Sequence, residues 1–410
     1  MASDPSGKLF RTAKLAQSFT PALPVREVDL FAGRHEQVMD CVSALFQPGL
    51  HVAVYGERGV GKTSLSNVLP QMVRATQLPS MIAGRVDCNT NDHFDSLWRK
   101  VFREIGEEWN DEEDGLIDPE SVRFRLGRDQ KTRLLVIDEL DRLEDDETLS
   151  LLADTLKTLS DHFVSTTIML VGVASSIGGL IGEHASIVRS ISQIQMPRMQ
   201  PDELLAILDR GFGEAGMTVE SDARAAMATM SEGLPHFVHL LGLHSGRTAA
   251  SEDETRVTMD HVQKAMVVAT RSHTILTEYH RATMSPQAGH LFEEVVLACA
   301  FAQKDDLGYF RAADVRGPLS MILNRTVEIP AFARHLNELS SETRGYTLQK
   351  EGVPRHFRYR FSNPLLEPFA RMVGATKGRL PEFLWAMMQR LPESPGPPEW
   401  PSGWLPRPGR

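Results

Sequence analysis

The sequence predicts an α/β protein in three parts: a parallel sheet covered by helices, a region of helices alone, and a smaller module of helices and a hairpin. Short apolar runs alternate with helix-like stretches over residues 19–200, which is typical of a parallel sheet covered on both faces. After Pro201 only helical periodicity continues, over residues 201–284. In residues 285–378 three helical patterns precede a hairpin with strand alternation.

The bulk composition is that of a soluble globular protein with more than one domain. The chain has 410 residues, of which 41% are hydrophobic and 24% are charged. This length exceeds that of one ordinary core. The formal charge of −10 excludes a general polyanion binder, so any nucleic-acid surface has to be a local patch.

Neither the cysteines nor the apolar runs indicate export or a membrane. Cys41, Cys88 and Cys299 form no C-x-x-C pair and no zinc spacing, which suits a reducing cytoplasm. The start, MASDPSGKLFRTAKLAQ, lacks an apolar run of signal-peptide length. The longest uncharged stretch, residues 167–182, is interrupted by Ser and Gly and is too short for a bilayer. We therefore expect a cytoplasmic protein with no membrane contact.

Five short segments with helices between them predict the strands of the sheet. Residues 1–18 are expected to be a flexible leader, and an amphipathic helix begins near His35. The crowded acids of residues 107–120 are expected to form a solvated loop. In chain order, the segments that predict strands are HVAVYG, SMIAGRVDC, TRLLVIDEL, TTIMLVGVASS and QIQMP.

The first strand leads into GERGVGKT, which fits the phosphate-binding pattern G-x-x-x-x-G-K-[ST]. Its three glycines let the backbone turn tightly and bring N–H groups to the phosphates, and the next helix adds its N-terminal positive charge. Lys62 is expected to reach the β- and γ-phosphates, and Thr63 to ligate Mg²⁺. The predicted nucleotide contacts of the loop are Gly56, Glu57, Arg58, Gly59, Val60, Gly61, Lys62, Thr63 and Ser64.

The third strand, in LLVIDELDRL, delivers two carboxylates to the carboxyl edge of the sheet, where open parallel sheets bind ligands. Asp138 is expected to support Mg²⁺, and Glu139 to polarise the attacking water as general base. A water-polarising acid argues against a small-molecule kinase, because such an enzyme activates a substrate hydroxyl instead. The pattern therefore predicts hydrolysis of the bound nucleotide.

These motifs resemble those of the AAA+ ATPases. Within that class they are similar to the branch that holds the archaeal and eukaryotic origin-recognition proteins, and they also resemble the related bacterial ATPases of transposition and defence loci. The segment LFAGRHEQ resembles that branch's opening box, which implies that Gly33 and Arg34 lie beside the adenine. GERGVGKTS and VIDELDRL match the two phosphate and Mg²⁺ motifs, called Walker A and Walker B. The resemblance runs in order over residues 31–270. It implies a P-loop AAA+ ATPase domain at 19–200 and an all-helical lid at 201–284.

The resemblance also implies two residues that assist hydrolysis. In AAA+ proteins the strand after Walker B ends in a polar residue that helps to position the water, and LVGVASS offers Ser175 with Ser176 as its neighbour. An arginine that reaches a neighbouring subunit's γ-phosphate is expected shortly before the fifth strand, where HASIVRSISQI supplies Arg189. The alternative for Arg189 is a surface or salt-bridged arginine.

The lid departs from the AAA+ pattern at His236, which stands in EGLPHFVHLL where the family carries an arginine. A G-x-P lid also occurs in signalling ATPases of the STAND class. A histidine carries only partial charge at neutral pH, so its presence favours slow, switch-like hydrolysis. The alternatives for His236 are a nucleotide contact and a histidine that only packs the lid.

The region 285–378 has the element order of a winged-helix domain, which initiator-type AAA+ proteins carry at the C-terminus. Over residues 344–360 five basic residues stand against one acidic residue, a local charge of +4. On the third helix Arg334, His335 and Asn337 are expected to face a major groove. The alternative is a module that binds protein, with the arginines on the wet face of a strand. The predicted DNA contacts are Arg334, Lys350, Arg355, Arg358 and Arg360.

Together the motifs predict an ATP- and ADP-binding, Mg²⁺-dependent hydrolase that acts as a slow molecular switch. We expect it to bind duplex DNA through the winged helix, to assemble as a homo-oligomer with ATP, and to serve replication, transposition or defence. Its protein partner would be a transposase, helicase, nuclease or effector. Two alternatives stay open: a STAND-like signalling scaffold whose C-terminal module binds protein, and a loader or matchmaker. Residues 379–410 are expected to form a C-terminal helix and a Pro-rich tail.

Overall fold

The computed structural model describes most of the chain, and the described residues form two compact units. The first unit is Leu23–Arg198, and the second holds the described residues on either side of it. The regions predicted as 201–284 and 285–378 both lie in the second unit. The described residues are 5–26, 31–75, 81–129, 131–173, 177–178, 185–271, 273–286, 289–305, 307–353 and 356–390.

In place of the flexible leader predicted for residues 1–18, the described residues form a helix, α1 (Pro5–Ser18). Its Leu15 is fully buried within the second unit. Leu15 packs on Gly246, where an added Cβ would lie 2.6 Å from the leucine side chain. Because this partner is far away in the sequence, the composition of the leader alone does not reveal that it is held.

A five-stranded parallel sheet forms the centre of the first unit, which confirms the predicted α/β class. β3 and β4 are buried along their whole length, as expected for inner strands of a covered parallel sheet. The strands are β1 (His51–Gly56), β2 (Ile82–Asp87), β3 (Arg133–Asp138), β4 (Thr166–Gly172) and β5 (Ile191–Met196). Their spatial order is β2-β3-β4-β1-β5, so the carboxyl ends of β1 and β3 are separated by β4 alone.

The helices of the first unit alternate with these strands. They are α2 (His35–Leu45), α3 (Lys62–Ala75), α4 (Phe94–Glu104), α5 (Asp111–Asp114), α6 (Pro119–Gly127) and α7 (Asp146–Asp161). The helical turn α5 lies inside residues 107–120, the segment expected to be a solvated loop. The guanidinium of Arg125 explains the difference, because it pairs with Asp114 at 2.8 Å and with Glu107 at 2.9 Å.

The second unit continues after the sheet with helices that pack on one another. They are α8 (Pro201–Glu214), α9 (Ser221–Met230), α10 (Pro235–Ser251), α11 (Met259–Ala269) and α12 (His273–Thr283). Two very short strands, β6 (Thr218–Val219) and β7 (Arg256–Val257), pair in parallel between them. The region predicted as all-helical therefore contains a small β bridge.

The rest of the second unit runs helix, strand, helix, helix, strand, strand and then two helices. The elements are α13 (Phe292–Phe301), β8 (Phe310–Arg311), α14 (Ala312–Ile322), α15 (Ala333–Leu339), β9 (Leu348–Glu351), β10 (Arg358–Phe361), α16 (Leu366–Thr376) and α17 (Glu382–Met388). The predicted hairpin is β9 with β10, and β8 joins it in the antiparallel order β8-β10-β9. A strand of two residues is too short to show alternation, which is why the sequence does not predict β8.

The cysteines are buried, free thiols. Burial raises the pKa of the Cys41 and Cys88 thiols to about 12, so both stay protonated and unreactive near neutral pH. Across the described part of the chain, no helix is both long enough and apolar enough to cross a membrane.

Candidate nucleotide-binding site

The phosphate loop connects β1 to α3, as the pattern predicts. Gly59 and Gly61 have φ angles of 89° and 99°, a backbone conformation that favours glycine. Gly56 is required for a different reason: an added Cβ would lie 2.3 Å from the carbonyl oxygen of Met196 on β5. Two of the glycines thus shape the turn, while the third allows β1 to approach its neighbouring strand.

Lys62 folds back over the loop that it follows. Its Nζ donates hydrogen bonds to the carbonyl oxygens of Gly56 at 3.0 Å and Glu57 at 2.8 Å. Burial lowers the pKa of Lys62, and the nearby carboxylates of Asp141 and Asp138 oppose that shift. The ammonium group therefore lies over the loop, close to acids, where phosphate oxygens could replace the two carbonyls as acceptors.

Asp138 and Glu139 stand at the carboxyl end of β3, but their environments differ. Asp138 is 2% exposed; its Oδ1 accepts the Glu139 N–H at 2.8 Å and its Oδ2 accepts a hydrogen bond from Arg85 at 3.0 Å. Glu139 has a left-handed φ of 56° and a half-exposed side chain whose Oε2 lies 3.0 Å from Arg142. The buried Asp138 therefore has Arg85 as a cationic partner, whereas the half-exposed Glu139 is paired with Arg142 on the surface.

Two polar contacts fasten the segment before α2 to the phosphate-loop helix. Ser64 Oγ accepts the N–H of Val25 at 3.1 Å, and Gln71 donates to the carbonyl of Arg26 at 2.6 Å. Thr63 occupies the first turn of α3, where its carbonyl accepts the hydroxyl of Ser66. The predicted nucleotide contact Ser64 thus binds the chain's own backbone.

Gly33 and Arg34 form the entry to α2. Both have left-handed φ angles, 69° and 61°. Arg34 is 3% exposed and donates to the carbonyl of Val60 at 2.9 Å, so it joins the opening box to the phosphate loop. On the same loop Glu57 pairs with Arg198 at 2.7 Å, whereas Arg58 is exposed.

Of the two residues expected to assist hydrolysis, the structure describes Arg189 and does not describe Ser175. Ser175 and its neighbour Ser176 lie outside the described residues, although β4, which precedes them, ends between β1 and β3. Arg189 lies in the 3-10 helix Ala185–Ser190 just before β5, with 78% of its side chain exposed and Asp161 at 3.5 Å. An exposed arginine in a loose ion pair is compatible with both of its predicted roles.

His236 lies in the second unit, at the start of α10. Its Nδ1 is 2.9 Å from the carbonyl oxygen of Pro21, which can only accept, so Nδ1 carries the proton. Burial lowers the pKa of His236, which favours the neutral ring. The contact supports the packing alternative, and a nucleotide contact stays a prediction.

Arg85 and Asp87 belong to this edge of the sheet although the sequence interpretation did not include them. Asp87 is the register partner of Asp138 across β2 and β3. Residues two apart on a strand point to the same face, so R-V-D at the end of the edge strand β2 places both polar groups beside Asp138. That short pattern is the signal that could have identified them.

The basic residues of the hairpin are arranged around one aromatic ring. Arg358 lies 4.1 Å and Arg360 lies 4.8 Å from the centre of the Tyr309 ring. Arg358 also pairs with Glu351 at 3.1 Å, and Arg360 donates to Gln349 at 2.7 Å. Each guanidinium therefore has a polar partner on β9 and an aromatic face beneath it.

The remaining predicted DNA contacts are less uniform. Arg334 is 75% exposed and pairs with Glu338 at 2.6 Å. Lys350 donates to Asn337 at 2.7 Å. Arg355 lies outside the described residues.

His335 does not face outward as expected. Its Nε2 accepts the N–H of Leu291 at 3.4 Å, and its ring centre is 4.7 Å from that of Phe292. The prediction that it faces a groove is wrong because α15 turns this side chain toward α13.

Comparisons with known proteins agree with this geometry. Residues 47–178 match the family described as AAA domain. No curated protein sequence matches the chain. The fold is similar to that of the ORC2 protein of Aeropyrum pernix, solved in ADPNP-ADP complexes, with 14% identity and a TM-score of 0.51 over 88% of this chain and 98% of that chain. It is also similar to a Walker-type ATPase of Pyrococcus abyssi, with 17% identity and a TM-score of 0.52 over 85% of this chain and 99% of that chain.

The matched residues contain the phosphate loop, β3 and both of its carboxylates, so the family match and the site geometry concern the same part of the chain. Residues 47–178 therefore match the AAA domain family, and the chain has a fold similar to that of the ORC2 protein.

Proposed function

We propose that this protein is an AAA+ molecular switch that binds ATP with Mg²⁺, hydrolyses it slowly and binds duplex DNA through its C-terminal module. One observation carries the nucleotide part. The glycine loop after β1, Lys62 at the start of α3 and the carboxylates after β3 all belong to one edge of the sheet. The AAA domain match over residues 47–178 supports the same activity.

The residues at this edge fit a magnesium ion. Mg²⁺ prefers oxygen ligands and commonly uses one or two protein oxygens together with phosphates. Thr63 offers a hydroxyl in the first turn of α3, and Asp138 offers a carboxylate with a side chain only 3% exposed. A carboxylate buried to this degree requires a positive partner. A bound Mg²⁺ would neutralise charge that develops on the phosphates.

The chain's own residues divide the remaining tasks. The N–H groups of the loop and of the first turn of α3 would hold the phosphates. Lys62 would exchange the carbonyls of Gly56 and Glu57 for phosphate oxygens. Glu139 would accept the proton of the attacking water, but its carboxylate has to leave Arg142 first.

An assembly of ATP-bound molecules would complete the site. Arg189 is exposed enough to reach the γ-phosphate of a neighbouring molecule, where such an arginine can raise the rate by roughly 10³–10⁵. The neutral ring of His236 supplies less charge than an arginine would at the same point of the lid. Both features support a switch whose hydrolysis is slow until it assembles.

The order of elements in the C-terminal module supports a winged helix that contacts DNA. Helix, strand, helix, helix, strand, strand is the order of that domain, and its basic side chains lie on α15 and on the hairpin. DNA phosphates would replace Glu338 and Glu351 as partners of Arg334 and Arg358. Because binding would exchange ion pairs and release counterions, its affinity should fall steeply with salt.

The second candidate function is a STAND-like signalling or defence scaffold whose C-terminal module binds protein. The observation that favours it is that the basic side chains already have partners within the module. Arg334, Lys350, Arg358 and Arg360 each have an acid or amide partner. The module would then bind a partner protein, such as a transposase, helicase, nuclease or effector, and not DNA.

The nucleotide function is tested by Glu139→Gln, with the exposed Glu144→Gln as a matched control. Glu139→Gln should retain binding of a fluorescent ATP analogue and reduce ATP hydrolysis by at least about 100-fold, the usual contribution of a general base. Glu144→Gln should leave both unchanged. Equal turnover in Glu139→Gln and in the unaltered protein would remove Glu139 from its role.

The DNA function is tested by fluorescence anisotropy of a labelled duplex at low salt, with ATP and with ADP. We expect binding that depends on the nucleotide and weakens with salt. If no duplex binds at low salt while ATP still binds, the DNA role is excluded and the scaffold function remains.

A further inference from the structure

Arg85 links two carboxylates at the carboxyl edge of the sheet. Its Nη2 lies 3.0 Å from Oδ2 of Asp138 on β3 and 2.5 Å from Oδ1 of Asp87 on its own strand, β2. Asp87 and Asp138 are register partners, so the two acids stand side by side. One guanidinium therefore hydrogen-bonds both neighbouring acids at the point where the proposed Mg²⁺ would bind.

The contact with Arg85 engages one of the two Asp138 oxygens that are open to a metal. Oδ1 of Asp138 already accepts the Glu139 N–H, and Oδ2 accepts the hydrogen bond from Arg85. The Asp138 side chain is 3% exposed, so water does little to stabilise its negative charge. Two cations that approach one buried carboxylate repel each other strongly in such an environment. Arg85 and a divalent cation should therefore exclude each other at Oδ2.

Arg85 has a second acceptor to which it can move. The side chain of Asp87 is 54% exposed, and it keeps its contact with Arg85 if Asp138 is released. Release therefore breaks one charge-assisted hydrogen bond and leaves the partly exposed guanidinium still paired with an anion. Moreover, Nε of Arg85 is buried and has no hydrogen-bond partner among the described residues, so its present position is not fully satisfied.

The geometry points to Arg85 as an exchange partner of the metal: it neutralises Asp138 while no divalent cation is bound and shifts to Asp87 when one binds. This inference rests on the proposed nucleotide function and adds a positioning residue to it. Arg85 would hold Asp138 in place in the metal-free protein and raise the metal concentration needed to occupy the site. The state of the switch would then depend on metal as well as on nucleotide.

The inference predicts opposite effects of two substitutions on metal affinity. Measured by Mn²⁺ electron paramagnetic resonance with saturating ADP, Arg85→Gln should bind Mn²⁺ about tenfold more tightly, the scale of one charge-assisted hydrogen bond. Arg85→Lys should lie between it and the unaltered protein. Asp87→Asn should bind Mn²⁺ more weakly, since Arg85 then has Asp138 as its only acid. In the Arg85→Gln background, Asp87→Asn should have a smaller effect.

Binding of ADP without metal provides the control, because Arg85 acts through Asp138 and should not alter it. Equal or weaker Mn²⁺ affinity in both Arg85→Gln and Arg85→Lys, with metal-free ADP binding retained, would overturn this inference alone. If the unaltered protein binds no Mn²⁺ in the presence of ADP, the proposed nucleotide function fails together with it.

Discussion

Phe19 follows α1 and fills a socket made by two other helices of the second unit. Its side chain is 1% exposed, and its ring centre lies 5.0 Å from that of Phe212. An added Cβ at Gly211 would lie 2.3 Å from the ring, and one at Gly242 would lie 2.5 Å from it. The ring therefore rests directly on the backbones of α8 and α10.

Phe19→Ala should lower the free energy of unfolding by about 3–5 kcal/mol, because the lost contacts and the remaining cavity both count. The upper part of this range is expected here, since helix backbone lines the socket and cannot move in to fill it. The matched control is Phe10→Ala on α1, whose side chain is 55% exposed. It should change stability by less than about 0.5 kcal/mol.

Urea denaturation followed by circular dichroism measures this difference, and hydrogen exchange of the α1 amides reports whether the helix detaches. Gly242→Ala should also destabilise the protein, by about 1–3 kcal/mol, because its methyl group would clash with the ring. Combined with Phe19→Ala it should cost less than the sum of the two changes, since removing the ring makes room. Additive effects, or a Phe19→Ala variant as stable as Phe10→Ala, would refute the socket.

The other predictions concern a buried ion pair, a buried histidine and the basic hairpin. Lys304→Met should lower the free energy of unfolding by about 3 kcal/mol, because the fully buried Glu367 loses its nearer cation, at 2.5 Å, and keeps Arg371 at 4.0 Å. Adding Glu367→Gln should recover most of this loss in a thermal melt. Burial lowers the pKa of His51 from 6.5 to about 4, so the unfolded chain takes up the proton first. The stability due to the neutral ring is present above pH 6.5 and is lost as the pH falls toward 4, by about 3 kcal/mol, and His51→Gln should flatten that part of a pH series of urea titrations. Arg358→Ala with Arg360→Ala should weaken duplex binding equally across sequences and reduce its salt slope by about two; an unchanged slope would exclude both from phosphate contact.

The sheet and the position of the glycine loop were largely predictable from the sequence because their signals are local. β1, β3 and β4 each lie in an apolar run, β5 shows alternation of apolar and polar residues, and the loop from Gly56 to Thr63 carries its glycines and its lysine at fixed spacing. Asp138 and Glu139 follow directly from the end of a buried strand. None of these predictions depends on which residues from distant parts of the sequence lie close in space.

Other features could not be predicted because they depend on partners far away in the chain. The helix α1 is held by Leu15 on Gly246, a contact that no local pattern encodes. The ring of His335 turns onto Phe292 although its helix position allowed an outward orientation. The strand β8 exists because β10 offers it hydrogen bonds, since two residues have no strand signal of their own.

The sequence alone determined the α/β class, the phosphate loop and the acids that belong with it, because spacing along a strand or a turn is set by covalent geometry. The tertiary structure decided which charges face each other. Arg85 and Asp138 are 53 residues apart, and only the pairing of β2 with β3 brings them within a hydrogen bond. In a buried site the pairing of the strands decides which charged side chains meet. The sequence therefore identified Asp138 as the expected metal ligand, but it did not identify Arg85 as the arginine that holds it.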